Sequence, residues 1–228
     1  MDYIRLFNTE NDYDLVSDTF TYPTVSYLQE EDEARWMSSK DKYKSKYLTF
    51  TALESGTFTL TIPANINSTY MTSVSYSTDN GTTWVTTQVD NTLQTITTPT
   101  MTAGNKVLWK GVGKQMAKGT SSNDFSYFSS TGNFNVSGNV MSLLYGDNFQ
   151  NNTSFNSGSY YNFANIFENA TKLTDAVKLI LPATTLETYC YEYMFYGCTS
   201  LTTAPELPAT TLEDYCYYQM FYGCTSLT

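Results

Sequence analysis

Four cysteines are the residues in this 228-residue chain whose type and spacing could do chemistry. Cys190 and Cys198 return 26 residues later as Cys216 and Cys224, and such pairs could form disulfides or bind zinc. Zinc sites usually have shorter spacings and often use histidine, which the chain lacks. Disulfides between equivalent cysteines of stacked repeats would be strained, because adjacent strands lie about 4.8 Å apart while bridged Cβ atoms lie about 3.8 Å apart. We therefore expect reduced, buried cysteines, and neither a metal nor a cofactor.

Other catalytic constellations are not indicated. Without histidine, the common serine and cysteine triads cannot be built, and the chain has no glycine-rich phosphate-binding motif. The four acids Glu30–Glu33 are contiguous rather than spaced as alternating calcium ligands around a glycine, so they predict a solvated loop. Two carboxylates from distant strands could still meet in a glycosidase site, but no Asp or Glu is singled out. The expectation is that the chain is not an enzyme.

Charge and hydropathy exclude two classes of partner. The formal net charge is −10, whereas binding to nucleic-acid phosphates requires clustered Lys and Arg. The first residues, Met1–Asn8, do not combine a basic segment with a long apolar run, and no stretch of about 18 apolar residues occurs anywhere. We expect neither a nucleic-acid partner nor a membrane partner, and no secretory signal.

The cysteines belong to a 26-residue repeat. The segment Leu181–Glu187 returns as Leu207–Glu213, and a degenerate earlier copy contains Ile166–Phe167 and Ala170. A fixed period of this size is typical of a solenoid, in which each unit buries its apolar side against the next. The residues predicted to point inward are Cys190, Met194, Phe195, Cys198, Leu201, Cys216, Met220, Phe221 and Cys224.

Tyrosines alternate with these inward positions and must lie outside or between the units. They are Tyr191, Tyr193, Tyr196, Tyr217, Tyr218 and Tyr222. Tyrosine offers a large contact area at low entropic cost and a hydroxyl group that forms hydrogen bonds, so the array is a candidate contact surface for a glycan or a protein. The alternative is that the rings only pack on one another.

The rest of the chain predicts a mainly β protein, because Thr, Ser, Asn, Tyr and Phe are abundant and charged residues are few. We predict a small N-terminal α/β module over residues 1–47, a β-sandwich-like domain over 48–118, a β junction and cap over 119–150, and the repeats over 151–228. Alternation predicts strands at 57–62, 73–76, 93–97 and 106–110, and a hairpin at 133–140.

One turn motif stands out within the predicted sandwich. Residues 77–84 fit the pattern S-x-D-x-G-x-T-W through Ser77, Asp79, Gly81 and Trp84. The motif resembles the Asp-box hairpin of sialidase-like propellers and of many other β proteins. Asp79 is expected to bind turn amides, Gly81 to supply a positive φ, and Trp84 to pack under the hairpin. A single copy does not indicate a propeller, so the motif predicts a turn and no particular activity.

The repeat resembles the leucine-rich repeats of the BspA type. That pattern, I-x-x-x-A-F-x-x-C-x-x-L, fits Cys190, Met194, Phe195, Cys198 and Leu201, with apolar replacements at the first two positions. Such repeats are common in surface adhesins of gut Bacteroidetes and in the phages that infect them. The resemblance implies a C-terminal leucine-rich-repeat solenoid, with further copies expected after residue 228.

The opening segments Tyr3–Glu10 and Tyr22–Tyr27 resemble N-terminal segments of structural proteins from Bacteroides phages, including crAss-like phages. This implies a virion protein, a capsid head fibre or another capsid appendage, which contacts other virion proteins through its N-terminal module. Fibres are usually symmetric, so a homotrimer or homodimer is expected. The alternatives are a tail fibre and a BspA-like adhesin on a bacterial cell surface.

Overall fold

The structure is a computed structural model that describes residues 46–156 and 158–228. Almost all of the predicted N-terminal module, including the acidic loop Glu30–Glu33, lies outside the described residues. The described chain is mainly β, with nine strands in two sheets and one short helix. The prediction of a mainly β protein is therefore confirmed.

The larger sheet has six strands and the smaller has three. In spatial order the larger sheet contains β4 (Val85–Gln88), β3 (Met71–Ser77), β6 (Lys106–Gly113), β1 (Leu48–Ala52), β8 (Phe134–Asn139) and β9 (Leu173–Ile180). The smaller sheet contains β5 (Gln94–Thr97), β2 (Phe58–Ile62) and β7 (Tyr127–Ser130). All paired strands are antiparallel except β8 and β9, which are parallel.

Strand β2 shows how the sequence pattern produces the sheet. Phe58, Leu60 and Ile62 are buried, while the intervening Thr59 and Thr61 are partly exposed. As predicted, this alternation places one face of the strand in the core and leaves the other face partly exposed to solvent.

The two sheets share one hydrophobic core. Phe50 of β1 lies opposite Val107 and Val136 within the larger sheet. Its ring also contacts Phe58 and Phe128 of the smaller sheet, with centroids 5.4 and 4.8 Å apart. Aromatic contacts of this kind stabilise a fold by more than the burial of their surface area alone. They therefore help to hold the two sheets together.

The predicted hairpin at 133–140 is wrong, because β8 is a single strand that pairs with β1 and β9. The chain then forms a short helix, α1 (Ser142–Tyr145), against the sheet. The Ser142 hydroxyl accepts a hydrogen bond from the Leu48 amide and donates one to the Trp109 carbonyl, both at 2.9 Å. In the described part of the chain, no helix has the length and apolar character of a membrane span.

The larger sheet crosses the predicted domain boundaries. It joins β1 from the predicted sandwich, β8 from the predicted junction and β9 from the predicted repeat region. The boundaries at residues 118 and 150 therefore do not separate independently packed bodies.

Three turn-rich units, at residues 161–173, 189–201 and 215–227, stack on one another, and β9 follows the first of them in the chain. Every fourth residue at the start of each unit has a positive φ; these residues are Tyr161, Asn165, Asn169, Tyr189, Tyr193, Gly197, Tyr215, Gln219 and Gly223. At even-numbered positions in 164–170, 192–198 and 218–224, the amides donate within their own unit, as Met194 does to the Tyr191 carbonyl. At odd-numbered positions in 163–169 and 191–197, the amides donate to the next unit, as Phe195 does to the Met220 carbonyl at 2.9 Å. The backbone therefore joins the units directly.

Candidate functional site

Two columns of aromatic rings form the inside of the stack. Phe167, Phe195 and Phe221 stack with successive centroids 5.4 and 5.4 Å apart. Beside them, Phe163, Tyr191 and Tyr217 stack at 6.0 and 5.7 Å. The residues predicted to point inward all belong to this core: seven are buried, and Phe221 and Cys224 of the third unit are partly exposed.

The four cysteines are free thiols in the core. The Cys198 and Cys224 Sγ atoms lie 3.0 and 3.1 Å from the Phe167 and Phe195 carbonyl oxygens, to which the thiols donate hydrogen bonds. Burial raises the pKa of both thiols, and likewise that of Cys190. A thiol whose pKa is raised is a poor nucleophile and a poor metal ligand, so the cysteines act here as small core residues.

The prediction that Tyr191 belongs to the contact surface is wrong. Its side chain is fully buried, and its ring lies between those of Phe163 and Tyr217. Tyr217 belongs to the same internal column, and its hydroxyl oxygen is buried too. The 26-residue period identifies equivalent tyrosines but does not show which side of the unit they occupy. Tyr191 therefore cannot be part of a contact surface.

Of the six predicted tyrosines, Tyr191 and Tyr217 are in the internal column, and the other four belong to one continuous aromatic surface, here called the tyrosine surface. Its members are Tyr161, Tyr189, Tyr193, Tyr196, Tyr215, Tyr218 and Tyr222, each partly or fully exposed. Consecutive ring contacts of 4.6 to 5.6 Å link all seven. The sequence prediction missed Tyr161, Tyr189 and Tyr215, although Tyr189 and Tyr215 are separated by the same 26-residue period.

Stacking decides which parts of these rings a ligand can reach. Tyr161, Tyr189 and Tyr215 are stacked, with centroids 4.6 and 5.1 Å apart, so neighbouring rings cover both faces of Tyr189 and one face each of Tyr161 and Tyr215. Tyr218 connects Tyr215 of this row to Tyr193, whose ring stands almost perpendicular to those of Tyr196 and Tyr218. The surface therefore combines ring edges with hydroxyl groups that can donate and accept hydrogen bonds.

Burial is the largest cause that raises the pKa of Tyr161 and of Tyr193, and neighbouring phenols and Glu192 raise it further. These phenols therefore remain protonated at neutral pH. Burial also raises the pKa of Glu192 to about 7, so this carboxyl is close to half protonated there. Its protonated form can donate a hydrogen bond beside the phenols, and its ionised form carries the negative charge that raises their pKa.

The Asp-box hairpin joins β3 to β4 and is far from the stacked units in the sequence. The Asp79 carboxylate accepts hydrogen bonds from the Thr83 amide (2.9 Å), the Thr83 hydroxyl (2.6 Å) and the Ser77 hydroxyl (2.7 Å). Gly81 has φ +86°, and the Trp84 indole N–H donates to the Gly81 carbonyl at 3.1 Å. These are the interactions expected of the motif, and all of them are made within the turn.

Trp84 also connects the hairpin to two residues outside it, Tyr47 and Lys110. Its ring contacts that of Tyr47 at 5.0 Å, and the Lys110 ammonium lies 4.1 Å from its centroid. Lys110 pairs with Asp147 at 2.8 Å, and Asp147 accepts a hydrogen bond from the Tyr47 hydroxyl at 2.7 Å. Each charged group here has a partner, so the cluster is structural.

The Asp79 carboxyl is expected to titrate with a pKa of about 2, below its ordinary value of 3.8. Hydrogen bonds from the Thr83 side chain, the Thr83 amide and then Ser77 favour the ionised form. Because the folded-state pKa is lowered, the stabilisation is present above about pH 4 and is lost as the pH falls towards 2. NMR of the Asp79 carboxyl carbon and the Thr83 amide, from about pH 1.5 to 6, measures this.

The variant Asp79→Asn is the control for this titration, because it removes the titrating group while keeping the shape of the side chain. The pH dependence of the Thr83 amide should vanish in this variant. A carboxyl that titrates near its ordinary value, with the Thr83 amide unmoved, would contradict the assigned hydrogen bonds.

No group of three or more acidic, cysteine or histidine side chains in the described ranges could hold a metal ion. The tyrosine surface is the candidate functional site, because its exposed ring edges and hydroxyl groups offer contact and hydrogen bonds to a ligand. In the comparisons with known proteins, no family model, no curated protein and no solved structure matches this chain.

Proposed function

We propose that this chain is a structural protein of a phage virion, a capsid head fibre or another capsid appendage, whose repeats project outward for attachment to the host surface. It acts by contact rather than by catalysis. Its place is the virion, and its surface contacts are made by the tyrosine surface.

The observation that carries the proposal is the direct attachment of the stack to the β body. The Phe128 amide of β7 donates to the Ile166 carbonyl of the first unit at 2.8 Å, and the rings of Phe128 and Phe167 stack at 5.8 Å. Hydrogen bonds then connect each unit to the next. Such an arrangement supports an arm that holds a contact surface in a fixed orientation to its base.

The stacked units form a leucine-rich-repeat solenoid of the BspA type, which the 26-residue period and the hydrogen bonds between units support. The two sheets form a β-sandwich-like base, which their shared core supports.

In this role the chain has three kinds of partner. The N-terminal module over residues 1–47 contacts other virion proteins, copies of the chain associate as a homotrimer or homodimer, and the tyrosine surface contacts a host glycan or protein. Nucleic acid and membrane are not partners.

The test is to purify particles of the phage that encodes the chain, then to locate the protein by mass spectrometry and electron microscopy. The expected result is a protein on the capsid that is lost from particles when residues 1–47 are deleted. Retention of the truncated protein would contradict the anchoring role. A location on the tail would replace the head fibre with a tail fibre, and a gene with an export signal in a bacterial genome would favour the adhesin.

The contact role has its own test in the double variant Tyr218→Ser and Tyr222→Ser. Both rings are exposed, so their loss should leave the particle intact while host adsorption falls by about tenfold or more. Tyr160→Ser is the matched control, because Tyr160 is an exposed tyrosine outside the tyrosine surface. Equal adsorption by both variants would overturn the contact role.

A further inference from the structure

A buried carboxyl group without a partner lies beside the tyrosine surface. Glu192 is 6% exposed, and its Oε2 atom has no hydrogen-bond partner among the described residues. The negative charge of this carboxyl contributes to the raised pKa of Tyr161 and of Tyr193, so it lies close to both phenols. Burying a carboxylate is costly when neither a hydrogen bond nor a cation compensates it. A ligand that supplies such a partner would stabilise the ionised form.

A second buried oxygen next to Glu192 also has no partner. Asn165 is 2% exposed, and its Oδ1 atom has no hydrogen-bond partner among the described residues. Its backbone amide donates to the Glu192 carbonyl at 3.0 Å, so the two residues are neighbours in adjacent units. The Asn165 Nδ2 atom donates to the Glu168 carboxylate at 2.8 Å. The unpartnered atoms here are therefore acceptors, which favours a ligand that donates hydrogen bonds.

The surrounding charges are all negative. Residues 181–228 contain no Lys or Arg, and their five acids are Glu187, Glu192, Glu206, Glu213 and Asp214. The titratable groups that interact with Glu192 or with Tyr193 are the phenols of the tyrosine surface and the Glu168 carboxyl. None of these groups is a cation. The cluster therefore suits a positively charged ligand and disfavours an acidic one.

An ammonium group fits this cluster better than a metal ion does. The described residues contain no group of three or more acidic, cysteine or histidine side chains that could bind a metal. An ammonium group has three donors and no acceptor, and phenol oxygens as well as carboxylates accept from it. Lysine carries this group on a flexible stem that can reach between rings. Tyrosine-rich surfaces are also typical of contacts with proteins, which favours a lysine on a protein.

We propose that the tyrosine surface binds a lysine side chain of a partner protein. Its ammonium group donates hydrogen bonds to the hydroxyls of Tyr161 and Tyr193 and is paired in charge with the Glu192 carboxylate. This inference names the ligand of the tyrosine surface, and it rests on the contact role proposed above.

The experiment titrates the full chain with a capped Gly-Lys-Gly peptide and follows the tyrosine and Glu192 signals by NMR. The Kd should fall about tenfold from pH 6 to pH 8, because Glu192, with a pKa of about 7, changes from mostly protonated to mostly ionised. The lysine stays charged at both pH values. Because the peptide stabilises the carboxylate, it should also lower the pKa of Glu192. The same peptide with an acetylated lysine should bind about tenfold more weakly at pH 8.

The variant Glu192→Gln removes the charge while keeping the shape of the side chain, and it should abolish the pH dependence. Unchanged amide signals of Tyr191 and Phe195 report that the stack is folded. Glu213→Gln is the matched control, because it removes an exposed carboxylate from the same stack and should keep the pH dependence.

Equal binding of the two peptides by the unaltered chain overturns the inference, as does a Kd that is the same at pH 6 and pH 8. A response to lactose, a neutral disaccharide, without a response to the lysine peptide also overturns it and makes a glycan the ligand. Lysine binding together with unchanged host adsorption by the Tyr218→Ser and Tyr222→Ser double variant would support this inference and overturn only the contact role on the virion.

Discussion

Replacing Phe195 with alanine is expected to lower the free energy of unfolding by about 3–5 kcal/mol. The ring is fully buried in the middle of its column, between Phe167 and Phe221, with interplanar angles of 10° and 4°. Alanine would remove the ring from both contacts and leave a cavity that the hydrogen-bonded units on either side cannot readily close. Urea denaturation followed by circular dichroism gives the change in free energy.

Phe221→Ala is the matched control, since it removes the same side chain from the end of the same column. Phe221 stacks on one ring only and is partly exposed, so the expected loss is about 1–2 kcal/mol. Equal losses for the two variants would show that stacking between units does not determine the stability of the column.

The comparison between these two phenylalanines also shows what the sequence could predict. The 26-residue period identifies Phe195 and Phe221 as equivalent and apolar, and the inward side of each unit follows from that pattern. The period does not reveal that the stack leaves Phe221 half covered, nor that Tyr191 turns inward while Tyr193 turns outward. The opposite directions of the two tyrosines depend on the alternating backbone of the units, in which every fourth residue has a positive φ, whereas Phe221 differs from Phe195 because it stacks on one ring only.

Local motifs were predictable for a related reason. The Asp-box is a set of contacts within eight residues, so Ser77, Asp79 and Gly81 determine the hairpin almost by themselves. The parallel pairing of β8 with β9 joins segments far apart in the chain, and no local pattern specifies it. Gly138 shows the difficulty: beside Ser137 and Asn139 it resembles a turn signal, yet it lies inside β8.

The conformation of Gly138 explains why a glycine occupies that strand. Its φ is +82°, and a Cβ atom there would lie directly against the Tyr47 carbonyl oxygen. The close approach is fixed by the neighbouring backbone, since the Asn139 amide donates to the Lys46 carbonyl at 2.9 Å. Gly138 therefore allows the segment before β1 to lie directly on β8.

Gly138→Ala is accordingly expected to destabilise the protein by about 2–5 kcal/mol, of which about 1–2 is the cost of a positive φ and the rest the overlap with backbone. The matched control is Gly104→Ala, because Gly104 has φ +84° but nothing within 4 Å of an added Cβ atom. It should lose about 1–2 kcal/mol, from conformation alone. Thermal and urea unfolding of both variants separates the two contributions. If the two variants lose equal stability, the backbone of residues 46–47 can move away from β8 without cost, and the close approach is not a requirement of the fold.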